Sequence, residues 1–204
     1  MKSLALVASF ASVALAGLPL NLGAFSIPIP NFTGATCPSD PSGIRIPPSL
    51  IVPVSKKLPN IKFGSTQTPI ITKGDFCSIF NLELDQRAVG KTCNLVFDFP
   101  SHLQTFSPYI YLGGGHFTFT GYAIGAGATL DSTYNNQPAP GPSPPNPPPQ
   151  LLPGHSYIIN SAPCGVPPGI PPVTVSGLLC SADSDFMFYQ SSSTCPIGFF
   201  VILS

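Results

Sequence analysis

The sequence predicts an all-β protein: an antiparallel β-sandwich of jelly-roll or immunoglobulin-like type, disulfide-stapled, behind an extended proline-rich N-terminal arm. Three observations predict this class. Short apolar runs alternate with glycine and proline turn signals, as in sandwiches and barrels. No segment shows the 3.6-residue periodicity of an amphipathic helix. The 27 prolines interrupt helices, and the six cysteines supply crosslinks.

The clearest strand is predicted at residues 92–99, within the segment 90–100, G-K-T-C-N-L-V-F-D-F-P. Alternate residues from Cys93 to Phe99 form one apolar face, while Asp98 belongs to the opposite face. Pro100 cannot donate a hydrogen bond to a neighbouring strand, so the strand is expected to end at Phe99.

Seven further strands are predicted from the same kind of pattern. Their inward positions are rich in phenylalanine, which predicts a core dominated by aromatic rings. The segment 86–90 has room for at most one helical turn. The predicted strands are residues 77–85, 109–112, 116–122, 156–160, 173–175, 186–189 and 197–203.

The first 16 residues have the layout of a secretory signal peptide. Lys2 precedes an apolar run, and Ala14-Leu15-Ala16 matches a small-residue cleavage site before Gly17. The run is shorter than the roughly 20 residues that cross a bilayer, and no membrane span is expected in the mature chain. The predicted organisation is a signal at 1–16, an arm at 17–55 and a β-sandwich domain at 56–204.

The six cysteines are expected to form disulfides, because an exported chain meets an oxidising environment. They lack the C-x-x-C and paired-histidine spacing of zinc sites. Six cysteines allow fifteen pairings, and spacing does not choose among them. Asn31-Phe32-Thr33 is a predicted N-glycosylation site. The cysteines are Cys37, Cys77, Cys93, Cys164, Cys180 and Cys195.

Low charge restricts the partners of this chain. Only 8% of residues are charged and the formal net charge is zero, which excludes a nucleic-acid footprint. An extracellular protein or a cell-wall glycan would be recognised through shape, aromatic contact and hydrogen bonds. The proline-rich loop at 137–149 is interpreted as a stiff exposed connector, with a P-x-x-P peptide ligand as the alternative. Oligomeric state is not encoded in any recognisable pattern.

No catalytic set is recognisable. There is no G-x-S-x-G elbow, and the three histidines, including His116, are far apart in sequence. Glu83 and Asp98 are the best carboxylate pair, and they would act together only if their strands were neighbours. We predict neither catalytic residues nor a cofactor or metal. Six tyrosines on or near strands favour a glycan-binding module as the alternative function.

Ordered blocks of sequence resemble a known family. The most recognisable block is Gly90-Lys91-Thr92-Cys93, followed by Leu95-Val96-Phe97 and Phe99-Pro100. The remaining blocks, within residues 67–203, are Phe80-Asn81-Leu82-Glu83-Leu84, Thr133-Tyr134-Asn135-Asn136 with Pro138, Pro153-Gly154 with Tyr157, Ala162-Pro163-Cys164, Phe188-Tyr189-Gln190 and Cys195-Pro196-Ile197-Gly198-Phe199. Together they resemble the fungal But-two C-terminal domain family. The insert at 137–149 and Gly113-Gly114-Gly115 depart from the family pattern.

The resemblance implies a small all-β domain in secreted or cell-surface fungal proteins. The family name suggests binding of a ubiquitin-like activating enzyme, the Uba-three subunit, which is a cytosolic or nuclear partner. In addition, two disulfides are expected, Cys93–Cys164 and Cys180–Cys195. The expected function is a non-catalytic extracellular or cell-wall interaction protein, with glycan binding and enzyme binding as alternatives.

Overall fold

A computed structural model describes residues 35–142 and 145–204 of the chain. The predicted signal peptide, Asn31 and residues 17–34 of the predicted arm lie outside the described residues. Strands and one 3-10 turn account for the regular structure described. These are β1 (Ile44–Ile46), β2 (Leu50–Ser55), β3 (Ile70–Ile71), β4 (Phe76–Leu84), the turn Gln86–Ala88, β5 (Thr92–Phe99), β6 (Tyr109–Gly113), β7 (Phe117–Gly121), β8 (His155–Pro163), β9 (Val173–Ser181), β10 (Ser184–Phe188) and β11 (Gly198–Leu203).

The strands form three antiparallel sheets, which confirms the all-β prediction. Sheet 1 has the order β1-β11-β5-β8, sheet 2 the order β2-β4-β9-β7, and sheet 3 the order β3-β10-β6. The inner faces of sheets 1 and 2 pack on one another through a continuous apolar core, to which sheet 3 adds its inner face. No helix in the described part of the chain is long and apolar enough to span a membrane.

Each of the eight predicted strands overlaps an observed one, and β5 has the predicted bounds of 92–99. The predicted helical turn is also present, at Gln86–Ala88. Residues 44–55, which were predicted to belong to a separate arm, instead form β1 and β2 within sheets 1 and 2. The boundary at residue 55 is therefore corrected. Both are edge strands, and an edge strand tolerates a proline such as Pro53 because one side needs no partner.

A cluster of phenylalanine rings joins the three sheets. The Phe97 side chain is completely buried, and its centroid lies 4.7 Å from that of Phe199 within sheet 1. It also lies 5.9 Å from Phe186 and 5.6 Å from Phe188, both on sheet 3. Sheet 2 joins through Phe80, whose ring is 4.7 Å from Phe199. The predicted aromatic core is confirmed.

The outer face of sheet 2 carries a second, smaller apolar cluster. Residues 122–134 contribute Tyr122 and Ala128, which pack on strand side chains such as Val54 and Ile79. Asn81 fastens this segment to the sheet: its side-chain nitrogen donates to the Ala128 carbonyl, and its oxygen accepts from the Ala128 amide, both at 2.9 Å. Sheet 2 is thus covered on both faces.

The structure contains three disulfides and no free cysteine. The expected Cys93–Cys164 bond is present and connects β5 to the end of β8. The expected Cys180–Cys195 pairing is wrong: Cys180 is bonded to Cys77 and Cys195 to Cys37. Cys77 and Cys180 lie on the adjacent strands β4 and β9, with Cα atoms 4.6 Å apart. Strand adjacency therefore decides this pairing, while closeness in sequence does not.

The ring cluster generates a stability prediction. Phe97→Ala removes a fully buried ring from the contacts between sheets, so we expect it to lower the free energy of unfolding by about 3–5 kcal/mol. Phe106→Ala is the matched control, because Phe106 is fully exposed and its loss should change stability by less than about 0.5 kcal/mol. Urea denaturation measures both values. Equal effects of the two variants would contradict the role given to Phe97.

Candidate functional site

One concave feature is an apolar cavity between sheets 1 and 2, which we call the inter-sheet cavity. Its volume is about 320 Å³. Sheet 1 contributes Leu95 and Phe199 to its wall, and sheet 2 contributes Phe119 and Val175. The cavity opens between β7 and β8, each an edge strand of its sheet, where Asn160, Ala162 and Pro163 are exposed; Gly141, Pro142 and Pro145 of the proline-rich loop also contribute to its wall.

The described lining of the inter-sheet cavity contains no Asp, Glu, His, Lys or Arg. Most lining atoms belong to aliphatic and phenylalanine side chains and to the Cys93–Cys164 disulfide. Tyr122 lines it too; burial raises the pKa of its hydroxyl, and that hydroxyl donates to Gln137 at 2.7 Å. A cavity of this composition can hold a neutral apolar molecule, and it offers no group for acid–base chemistry at neutral pH.

A second concave feature, which we call the serine cleft, lies beside the Cys37–Cys195 disulfide. Amides and hydroxyls line it, including Gln67, Gln104, Ser107 and Ser191–Ser193. Some of these groups already bond to one another, as in the 2.8 Å bond from Ser107 Oγ to Ser191 Oγ. Phe106 and Tyr189 expose their rings at this cleft.

The predicted carboxylate pair is not assembled. Glu83 lies on β4 in sheet 2 and Asp98 lies on β5 in sheet 1. Glu83 accepts a 2.9 Å hydrogen bond from Thr174 Oγ1 on the neighbouring strand. Asp98 lies on the face of β5 opposite Phe97 and Phe99, as the alternation predicts, but it is buried, because only 3% of it is exposed.

Asp98 is held in a buried ion pair that spans sheet 1. Arg45 on β1 donates to Asp98 Oδ2 and also to Asp40. The Arg45 guanidinium carbon also lies 4.3 Å from the centroid of the Phe200 ring on β11. Ser156 Oγ donates to Asp98 Oδ1 at 2.6 Å. Both carboxylate oxygens are occupied, so Asp98 ties β1, β5 and β8 together.

A histidine–aspartate pair is present at the start of β7. His116 Nδ1 lies 2.6 Å from Asp183 Oδ2, in the connection between β9 and β10. The hydrogen bond with His116, followed by that from Ser184, lowers the pKa of Asp183 to about 2. Ser181 and Ser184 both donate to Asp183 Oδ1, at 3.1 and 2.7 Å. These hydroxyls therefore bond to the carboxylate, whereas in a catalytic triad the serine contacts the imidazole.

The other histidines occupy separate places. The His102 ring stacks on Tyr109 with a centroid distance of 3.8 Å. His155 contacts Tyr157 at 5.8 Å between ring centroids. Among the described residues, no group of three or more His, Cys, Asp and Glu side chains could hold a metal ion.

The tyrosines do not form a common exposed platform. Tyr109 and Tyr122 are buried, and Tyr111, Tyr134 and Tyr157 are half-buried. Only Tyr189 of the six is exposed, at the serine cleft. Most of the tyrosines on or near the strands thus occupy core and rim positions.

Sequence reasoning did not find the inter-sheet cavity. The feature of the sequence that could have indicated the cavity is the pair of strand glycines Gly121 and Gly177. Their significance depends on the register that places them directly opposite each other. That register brings together strands from distant parts of the chain.

One comparison with known proteins identifies a family. The family model described as Ubiquitin 3 binding protein But2 C-terminal domain matches residues 47–194, a range that includes β2 to β10 and both concave features in part. No curated protein matches the sequence significantly. The family match covers more than half of the chain, in agreement with the ordered blocks of the sequence. This chain therefore belongs to the But2 C-terminal domain family.

Proposed function

We propose that this chain is a secreted, non-catalytic binding protein of the extracellular space or cell wall. The observation that carries the proposal is that no charged side chain belongs to the lining of either concave feature, the inter-sheet cavity or the serine cleft, among the residues that the structure describes. Hydrolytic and transfer reactions need positioned groups that accept or donate protons near neutral pH, and these linings do not offer them. Binding of an uncharged ligand needs only shape, apolar contact and hydrogen bonds.

The disulfides support the extracellular part of the proposal. All six cysteines are paired, and their bonds span 158, 103 and 71 residues of sequence. Disulfides of this kind persist in oxidising compartments and are rare in the cytosol. The signal-like segment at 1–16 is consistent with export.

Glycan binding is a second candidate, favoured by the serine cleft. Exposed rings such as Tyr189 can stack on sugar faces, and neighbouring hydroxyls and amides can bond to sugar hydroxyls. Retention on chitin or β-glucan that is lost in Tyr189→Ala would support this candidate. The description of the family suggests a third candidate, binding of a ubiquitin-pathway protein, which requires the chain to remain inside the cell.

We expect the mature protein to be found outside the cell with Gly17 as its first residue. The physical reason is that the short apolar run and the small residues before Gly17 fit signal-peptidase cleavage. N-terminal sequencing of the protein from culture medium measures this. Intracellular retention of a chain that begins at Met1 would overturn secretion and favour the third candidate.

Substitutions of Asp98 and Glu83 should distinguish a structural role of each carboxylate from a catalytic one. Asp98→Ala removes the acceptor of Ser156 and leaves the partly buried Arg45 with Asp40 as its remaining carboxylate partner, so we expect a loss of about 1–3 kcal/mol in unfolding free energy. Glu83→Gln keeps an oxygen acceptor for Thr174, so its effect should stay below about 0.5 kcal/mol. Urea denaturation measures both. A hydrolase activity abolished by Glu83→Gln in a fully folded protein would refute the non-catalytic proposal.

The histidine–aspartate pair should act as an acid-sensitive structural contact. The folded-state pKa of Asp183, about 2, lies below the value of about 3.9 for an unfolded aspartate. Its contribution to stability is therefore complete above about pH 5 and is lost as the pH falls toward 2. The difference in urea midpoint between the parent protein and Asp183→Asn should follow this course. A difference that persists undiminished at pH 2 would contradict it.

A further inference from the structure

A pair of glycines creates a hollow in the inner face of sheet 2. Strand register places Phe80, Gly177 and Gly121 in one row across β4, β9 and β7. Phe80 projects a ring into the core, whereas the two glycines project no side chain. Residues two positions away on the same face, Phe119 and Leu179, carry large side chains. Along this row the side chains therefore become smaller toward the edge strand β7, and the surface of the sheet is lower there.

The facing part of sheet 1 does not fill this hollow. Leu95 on β5 pairs with Asn160 on the edge strand β8. Leu95, Phe119 and Val175 pack against the core but are only partly buried. Protein interiors are close-packed and rarely leave voids larger than a water molecule. A cavity of about 320 Å³ at this place is thus an open binding space between the sheets.

The chemistry of the walls restricts what can enter. No charged side chain belongs to the described lining, so a buried ionic group would meet no counter-charge. Burial of an unpaired charge is strongly unfavourable. A ligand that is neutral and mainly aliphatic loses little on transfer from water to these walls and gains the contacts of the phenylalanine and leucine side chains.

One polar side chain stands at the mouth of the cavity. Asn160 lines the opening and is exposed. Its side-chain amide forms no hydrogen bond with another residue in the described part of the chain. An unengaged amide offers both a donor and an acceptor. It can therefore orient a ligand through one hydroxyl group while the apolar part of the ligand lies inside.

The volume restricts the size of the ligand. An engineered cavity of about 150 Å³ holds benzene, and the inter-sheet cavity is roughly twice as large. The space suits a ligand with on the order of twelve heavy atoms.

We propose that the inter-sheet cavity binds a neutral aliphatic alcohol, with its chain against Leu95, Phe119 and Val175 and its hydroxyl group at Asn160. This inference rests on the proposed function as a non-catalytic binding protein and names the chemical class of its ligand.

The first experiment measures head-group selectivity in the oxidised full-length secreted protein. The small neutral fluorophore 1-aminonaphthalene, whose size fits the cavity, reports its occupancy, and 1-dodecanol and dodecanoate compete with it. We expect 1-dodecanol to displace the fluorophore at a concentration about tenfold lower than dodecanoate at pH 7, because the carboxylate loses part of its hydration at the mouth, where the described lining supplies one side-chain amide and no counter-charge. Equal competition by the two molecules would overturn the assignment of a neutral ligand.

The second experiment locates the site with matched variants on β8. Ala162 lines the mouth, and Ala162→Phe places a ring there. Ile158 lies on the same strand, is half exposed and is absent from the lining, so Ile158→Phe is the control. We expect Ala162→Phe to weaken 1-dodecanol binding about tenfold or more, and Ile158→Phe to change it less than about twofold.

A third variant tests the hydrogen bond at the mouth. Asn160→Leu removes the amide and keeps a side chain of similar size, so 1-dodecanol binding should weaken about fivefold while the fluorophore retains its affinity. Near-ultraviolet circular dichroism verifies that each variant is folded. Equal loss of both probes would contradict the role of the amide.

The outcomes separate the two proposals. A folded, secreted protein that shows no saturable binding, or equal binding in Ala162→Phe, overturns the ligand assignment and leaves the proposed extracellular function intact. Retention of the chain in the cytosol overturns the proposed function, whatever the fluorophore reports.

Discussion

Contact among the phenylalanine rings around Phe97 is the interaction on which the arrangement of the sheets depends. Phe97 and Phe199 belong to sheet 1, Phe186 and Phe188 to sheet 3, and Phe80 to sheet 2, and their rings touch in one cluster. Each buried ring stabilises the fold by roughly 2–3 kcal/mol through removal of apolar surface from water. Ring pairs add about 0.5–1.5 kcal/mol each. This cluster supplies the aromatic contacts between the short sheet 3 and the larger sandwich, beside the hydrogen bonds of Ser78 on β4 with Ile70 on β3.

The same distribution of rings explains where the cavity lies. Aromatic side chains fill the space near β10 and β11, while the row at Gly177 and Gly121 leaves the space near β7 and β8 unfilled. The few charged side chains serve elsewhere. Arg45 and Asp98 bind three strands of sheet 1, and His116 and Asp183 connect β7 to the turn before β10. Among the described residues, these charged side chains therefore stabilise contacts between strands, and none lines either concave feature.

Much of the fold was predictable because strand alternation is a local property. The pattern of Cys93, Leu95, Phe97 and Phe99 was enough to place β5, and the phenylalanine-rich runs gave the core faces. The three strands that the sequence did not predict, β1, β2 and β3, are all edge strands. β1 and β3 have only three and two residues and β2 contains Pro53, so these three segments carry too little alternation to be recognised and become strands because a neighbour offers one row of hydrogen bonds. The candidate site was much less predictable, since its walls come from six strands.

By itself, the sequence determined the all-β class, most strand positions, the aromatic core, the disulfide-rich character and membership of the family. Period-2 alternation and the short blocks that resemble the family are properties of neighbouring residues, so they need no knowledge of the rest of the chain. Tertiary structure alone decided that Glu83 and Asp98 lie on different sheets, that Cys180 bonds to Cys77, and that Gly121 faces Gly177. Alternation fixes the face on which a side chain lies, but only the pairing of distant strands fixes its neighbour.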